Sequence, residues 1–141
     1  MEHNYELLKE IYQNAEMSKD IMGRMIKICD DSNFRAELAE EFAEYHEVMC
    51  QAKAIIDEKG YPIRTNKAGK AAAMGGIKLN TFIDKTSTHL AEMMVQGSTM
   101  GVIDMKRARK MYTGAEDAIR KLANKLCETE QNNVRRMLEF V

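Results

Sequence analysis

The sequence predicts an all-α protein, a single antiparallel four-helix bundle with a long third helix, formed by residues 1–141. Three observations predict it. One proline and no tryptophan occur in 141 residues, which argues against an all-β fold, since that needs turn residues every 8–12 positions or so. Four segments of roughly 25–35 residues carry apolar side chains at alternating steps of three and four, the period of a helix with one buried face. The breaks within the first and the second pair of segments are only a few residues long, so each pair reads as an antiparallel hairpin.

The first helix is expected from about Tyr5 to Cys29. Leu8, Ile11, Ala15, Ser18, Met22, Met25 and Cys29 make its apolar row, with Glu6, Glu10, Glu16 and Asp20 off it. Asp30-Asp31-Ser32-Asn33 breaks it and offers caps to the next helix. The second helix is expected from about Phe34 to Lys59, with the row Leu38, Phe42, Tyr45, Met49, Ala52 and Ile56. Gly60 stands where a left-handed C-terminal residue belongs, and Pro62 forbids continuation.

Residues 60–76 read equally as loop, short helix or an extension of the third helix. The third helix is expected from about Ile77 to Met111, with the row Leu79, Ile83, Thr86, Leu90, Met93, Gly97 and Met100. Thr113 and Glu116 match a capping box that opens the fourth helix. There Ala115, Ile119, Leu122, Leu126, Thr129 and Asn133 form one row, and Ala123, Cys127, Glu130, Val134 and Met137 the next.

Composition narrows the function classes. The net charge is -1, from 21 basic and 22 acidic residues, so no global field draws the chain to nucleic acid or an anionic membrane. The longest apolar and glycine run, residues 71–77, is far below a membrane span. The N-terminus lacks the pattern of a secretory leader, and three scattered cysteines read as reduced, unpaired thiols. A cytoplasmic location is expected. Lys106-Arg107-Ala108-Arg109-Lys110 falls in the last turns of the third helix, where cations suit the helix dipole; the competing reading is a phosphate or nucleic-acid patch.

A four-helix bundle raises the question of a two-metal centre. Its recipe is a glutamate from each of two helices and Glu-x-x-His from each of the other two. The histidines are His3, His46 and His89, and no Glu-x-x-His precedes any of them. The complete set is absent. Partial candidates for a metal ion are His89 and Glu92, spaced i, i+3, together with Glu130 and His46. The competing reading makes both histidines boundary imidazoles bonded to a neighbouring carboxylate or tyrosine, and Glu130 a helix-surface carboxylate. Gly97 and Gly101, four apart, suggest a close helix crossing, a dimer seam or a hinge. Among twelve methionines, Met22, Met25, Met49, Met93 and Met100 are expected in the core, and Met17, Met74 and Met105 nearer the surface. No catalytic residue is indicated.

The stretch 33–63, NFRAELAEEFAEYHEVMCQAKAIIDEKGYPI, resembles the spore coat protein F-like hairpin of the ferritin-like superfamily in its Asn-Phe-Arg start, His46 and Gly60-Tyr61 exit. Residues 89–104, HLAEMMVQGSTMGVID, are similar to bacterial ferritin-like proteins of comparable length, and Glu130-Gln131-Asn132-Asn133-Val134 is similar to a bacterioferritin Glu-x-x-His stretch, with Asn133 at the histidine's place. The resemblance implies a ferritin-like bundle of bacterial origin, with spore association as one setting. The leading functional expectation is a non-enzymatic bundle acting by protein–protein association as a homodimer, with no nucleic acid, no membrane span and no cofactor. The alternative is a metal-binding (iron, manganese or zinc) or residual redox protein. The dimer is expected to bury an overhang of the third helix, residues 71–82.

Overall fold

The computed structural model describes residues 2–63 and 85–141, which form four helices and, among these residues, no strand. They are α1 (Glu2–Ile28), α2 (Ser32–Lys59), α3 (Ser87–Met111) and α4 (Asp117–Leu138). No helix among the described residues is long and apolar enough to cross a membrane.

Local chemistry sets the helix ends. Asp31 caps α2, its carboxylate accepting the N–H groups of Asn33 (2.9 Å) and Phe34 (3.2 Å). At the other end Gly60 takes φ 68°, and the Tyr61 N–H returns to the Ile56 carbonyl at 3.1 Å. That left-handed turn is the one the Gly60-Tyr61-Pro62 exit predicts.

Contacts between helix ends define the chain direction. At one end of the bundle the Tyr5 ring meets Tyr61 at 5.6 Å, and His3 meets Tyr112 at 5.8 Å. Lys59 pairs there with Glu116 at 2.8 Å. The start of α1, the end of α2, the end of α3 and the start of α4 therefore share this end. At the opposite end Phe34 packs on Phe140 at 5.2 Å. The order is up, down, down, up, with α2 parallel to α3. With 25 residues, α3 is about 37 Å long, so the exit of α2 and the entry of α3 lie at opposite ends of the bundle.

Three expectations need correction. The third helix does not run unbroken from residue 77. Thr86 stands outside it in extended conformation (φ -66°, ψ 151°), and its hydroxyl accepts the His89 N–H at 3.3 Å, which starts the helix at Ser87. The third helix is thus not the long one: 25 residues against 27 for α1 and 28 for α2. The expected overhang at 71–82 lies outside the described residues. The fourth helix opens at Asp117, not Thr113, and Glu116 is its N-cap. The Glu116 N–H is donated to the Asn4 side-chain oxygen at 2.7 Å, and the Asn4 amide donates back to the Glu116 carboxylate at 3.1 Å. A partner from α1 thus replaces the local capping box.

The buried rows differ from the expected ones by one position in two helices. On α2, Glu41 and Val48 are buried, while Phe42 and Met49 are only half-buried. On α3 the buried row is Leu90, Ala91, Met94, Ser98, Gly101, Met105 and Ala108. Met93 is half-buried, Gly97 and Met100 are exposed, and Met105 is fully buried rather than near the surface. The inward row of α3 is rich in small residues, which lets its backbone approach α4. The rows of α1 and α4 follow the sequence pattern, with Ser18 and Val134 half-buried.

Asn4 is buried and holds the first turn of α4 from outside that helix. Asn4→Ala orphans the Glu116 N–H and is expected to lower stability by about 1–3 kcal/mol. Urea unfolding measures it, and an unchanged midpoint would mean that water serves the α4 start as well as Asn4 does.

Candidate functional site

The middle of the bundle is polar where the helical period calls for apolar side chains. Asn14 adjoins Ala15 on α1, and Glu41 sits between Leu38 and Tyr45 on α2. Ser98 and Gly101 occupy the inward row of α3, and Thr129, Glu130 and Asn133 that of α4. Glu41, Tyr45, Glu130 and Asn133 are fully buried, and Asn14 and Ser98 nearly so. Counted along the helices, Asn14, Tyr45, Ser98, Gly101, Glu130 and Asn133 share one layer, and Glu41 lies a turn further toward Phe34.

Gly101 is the floor on which Glu130 rests. A Cβ at residue 101 would stand 1.8 Å from Glu130 Oε2 and 2.6 Å from its carboxyl carbon, so any side chain there would displace the carboxyl. Asn14 donates to the Gly101 carbonyl at 3.4 Å. Among the described residues, Asn14 Oδ1, both oxygens of Glu41, the Tyr45 hydroxyl, both oxygens of Glu130 and both amide atoms of Asn133 are buried with no hydrogen-bond partner. So many buried orphans in one small region are unusual, because each costs about 1–3 kcal/mol of lost hydration.

Burial dominates the electrostatics. It pushes the Glu41 carboxyl up to about 9, helped by Glu37 and opposed by Arg136. It pushes Glu130 up to about 8, helped by Asp104 and opposed by the Asn14 amide. The Tyr45 hydroxyl is raised by burial and then by Glu130, with Asn133 and Ser98 acting in the other direction. Beside Glu41, Arg136 bonds Glu37 at 3.2 Å and both oxygens of Glu44 at 2.9 and 3.1 Å. Two neutral carboxylic acids and a phenol thus occupy the core at pH 7, with Arg136 closing the Glu41 side.

The residues singled out by sequence do not come together. Glu130 is in the core layer, not on the surface. His46 is exposed on α2, its Nδ1 2.8 Å from Lys19 Nζ and its Nε2 3.5 Å from Cys50 Sγ, so its partners are neither carboxylate nor tyrosine. His89 is half-buried in the first turn of α3, and Glu92 is exposed. Among the described residues no three His, Cys, Asp or Glu side chains converge to hold a metal ion. Cys29, Cys50 and Cys127 are all free, with Cys50 exposed. Of the two glycines, Gly101 makes the close approach, and Gly97 has no neighbouring atom within 4 Å of a Cβ position.

Sequence reasoning missed Asn14 and Glu41. The signal is present: each is a polar residue at a core register, three positions after a buried apolar one, Ile11 for Asn14 and Leu38 for Glu41. Comparison of the chain with protein-family models, curated proteins and solved structures found no match.

The two raised carboxyls predict how stability responds to pH in metal-free protein. Above the usual value of 4.5 the unfolded chain has released these protons, while the folded protein keeps them up to about 8 and about 9. Stability therefore falls as pH rises from about 5 to 9, by up to about 1.4 kcal/mol per pH unit for each retained proton. Glu41→Gln and Glu130→Gln should each flatten that slope. Urea unfolding at several pH values checks it; a slope that is flat in the unmodified protein, or unchanged in both variants, contradicts neutral buried acids.

Proposed function

We propose that the protein is a ferritin-like bundle whose central layer binds one hard cation at Glu130 in place of a two-metal redox centre. The up, down, down, up order and the resemblance of residues 33–63 support the ferritin-like reading, since that order needs one long crossover. The donor set does not fit two redox metals, because among the described residues the layer holds no histidine and the bundle core only two acids, so no redox step is assigned.

One observation carries the cation reading. Glu130 is fully buried against Gly101 with both oxygens unpartnered, in a layer that also holds unpartnered oxygens of Asn14, Tyr45 and Asn133. Carboxylate, amide carbonyl and hydroxyl oxygens are hard donors that suit magnesium, calcium or manganese. A bound cation replaces the proton on Glu130 and supplies the missing partners. Titration calorimetry of chelator-treated protein with manganese, magnesium and calcium chlorides at pH 8.5 tests this. One site per chain is expected, weakening about tenfold per pH unit below about 8. Glu130→Gln should abolish it while leaving the helical circular dichroism intact. Absence of binding at millimolar metal, or binding indifferent to Glu130→Gln, overturns the reading.

Association remains a second reading because of one surface. Met100, Ile103 and Met111 are 55%, 38% and 64% exposed and recur on one outward face of α3, an arrangement suited to meeting a second copy about a two-fold axis. Light scattering at micromolar concentration is expected to give twice 16.1 kDa, about 32 kDa, and Met100→Glu to restore the monomer. A 16 kDa species in the unmodified protein excludes this surface as a dimer seam.

A further inference from the structure

The turn between α3 and α4 makes a cleft of about 590 Å³ lined by Lys106, Arg109, Lys110, Arg120 and Lys121, with Thr113, Asn124 and, among the described residues, a single acid, Asp117. We infer that this cleft binds an oligophosphate chain.

The charge imbalance is local. The whole chain carries a net charge of -1, yet five cations face one carboxylate here. Asp117 is already held by Arg120 at 3.5 Å and Lys121 at 3.0 Å. Lys106, Arg109 and Lys110 make no ion pair or hydrogen bond with a described residue. They stand at i, i+3 and i+4 on one face of α3, a spacing at which like charges repel by about 0.2–0.5 kcal/mol per pair. The dipole of α3 favours cations in its last turn, which accounts for Arg109 and Lys110. It does not account for Arg120, which lies in the first turn of α4, where the helix dipole is positive. Two helices thus converge cations on one concave surface, one of them against its own field.

The lining selects the ligand. Arginine forks and lysine point charges are the usual partners of phosphate oxygens. The volume lies within the range of small-ligand pockets, about 300–1,000 Å³. Among the described residues no aromatic side chain lines the cleft, so these residues offer no stacking platform for bases, the main contact of single-stranded nucleic acid. The phosphate chain itself is therefore what is recognised, whether free or as the tail of a nucleotide.

Titration calorimetry of the full chain in 50 mM salt, with sodium tripolyphosphate as the probe and ATP without magnesium alongside, tests the inference. Tripolyphosphate should bind one per chain and weaken as salt increases. Lys106→Glu with Arg109→Glu should weaken it by about thirtyfold or more, and Asp117→Asn should tighten it severalfold. Lys27→Glu, at the opposite end of the bundle, makes a like-signed charge change and should alter binding by less than about twofold. Equal affinity for ATP identifies the chain as the recognised part, and tighter ATP binding through the same residues identifies the nucleotide tail as its source. No binding at millimolar tripolyphosphate, equal loss in Lys27→Glu, or tighter binding of a DNA oligomer through Lys106 and Arg109 overturns it.

Discussion

The contact between the Glu130 carboxyl and the backbone of α3 at Gly101 governs how the two hairpin helices meet. A carboxyl can lie on a helix backbone only where no side chain covers it, and Gly101 supplies that opening. Once α3 turns Gly101 inward, the residues on the same row follow, and Ala91, Ser98 and Ala108 are buried with it. The row one position away turns outward, which exposes Gly97 and Met100 and leaves Met93 half-covered. The close approach of α3 and the apolar residues on its outer face thus share one cause.

The same contact shapes the chemistry. Glu130 is buried away from bulk solvent, which favours its protonated form. Asn14, Tyr45 and Asn133 surround it with groups of flexible hydrogen-bonding character, each able to turn a donor or an acceptor inward. Glu41 repeats the arrangement one turn away, but there Arg136 binds Glu37 and Glu44 and fixes the neighbouring charge. The core therefore has one acid beside an arginine network and one beside amides and a phenol. The two are not equivalent sites.

Charge at the surface is arranged differently at the shared end of α1 and α4. Glu116 gathers Asn4 from α1 and Lys59 from α2, so the start of α4 is stitched to both helices of the other hairpin. The very next residue, Asp117, is the single acid among five cations of the described residues. A chain that is nearly neutral overall thus carries a concentrated positive face next to a balanced one, which is a property of position and not of composition.

Helix number, the hairpin pairing, the caps at Asp31 and Gly60 and the buried rows of α1 and α4 were legible in the sequence, because each follows from local spacing or from residues a few positions apart. On α2 the expected Leu38, Tyr45, Ala52 and Ile56 are buried, but Glu41 and Val48 take the places expected for Phe42 and Met49, and on α3 only Leu90 of the expected row is fully buried; two candidate rows stand side by side there, and periodicity favours the bulkier one. Which row faces inward was decided by partners distant in the chain, Glu130 against Gly101 and Arg136 beside Glu41. The start of α4 was decided by Asn4, 112 residues away, and not by the nearby Thr113. Glu130 was read as a surface or ligating carboxylate although it stands on the row of Ala123, Cys127, Val134 and Met137, because spacing places a residue on a row without saying how far that row is covered. The sequence by itself determined the four helices of the described residues, with polar residues at core spacing. Only the tertiary structure decided that these residues meet in one layer and that Lys106 faces Lys121, since helices bring distant residues together by packing and packing depends on every partner at once.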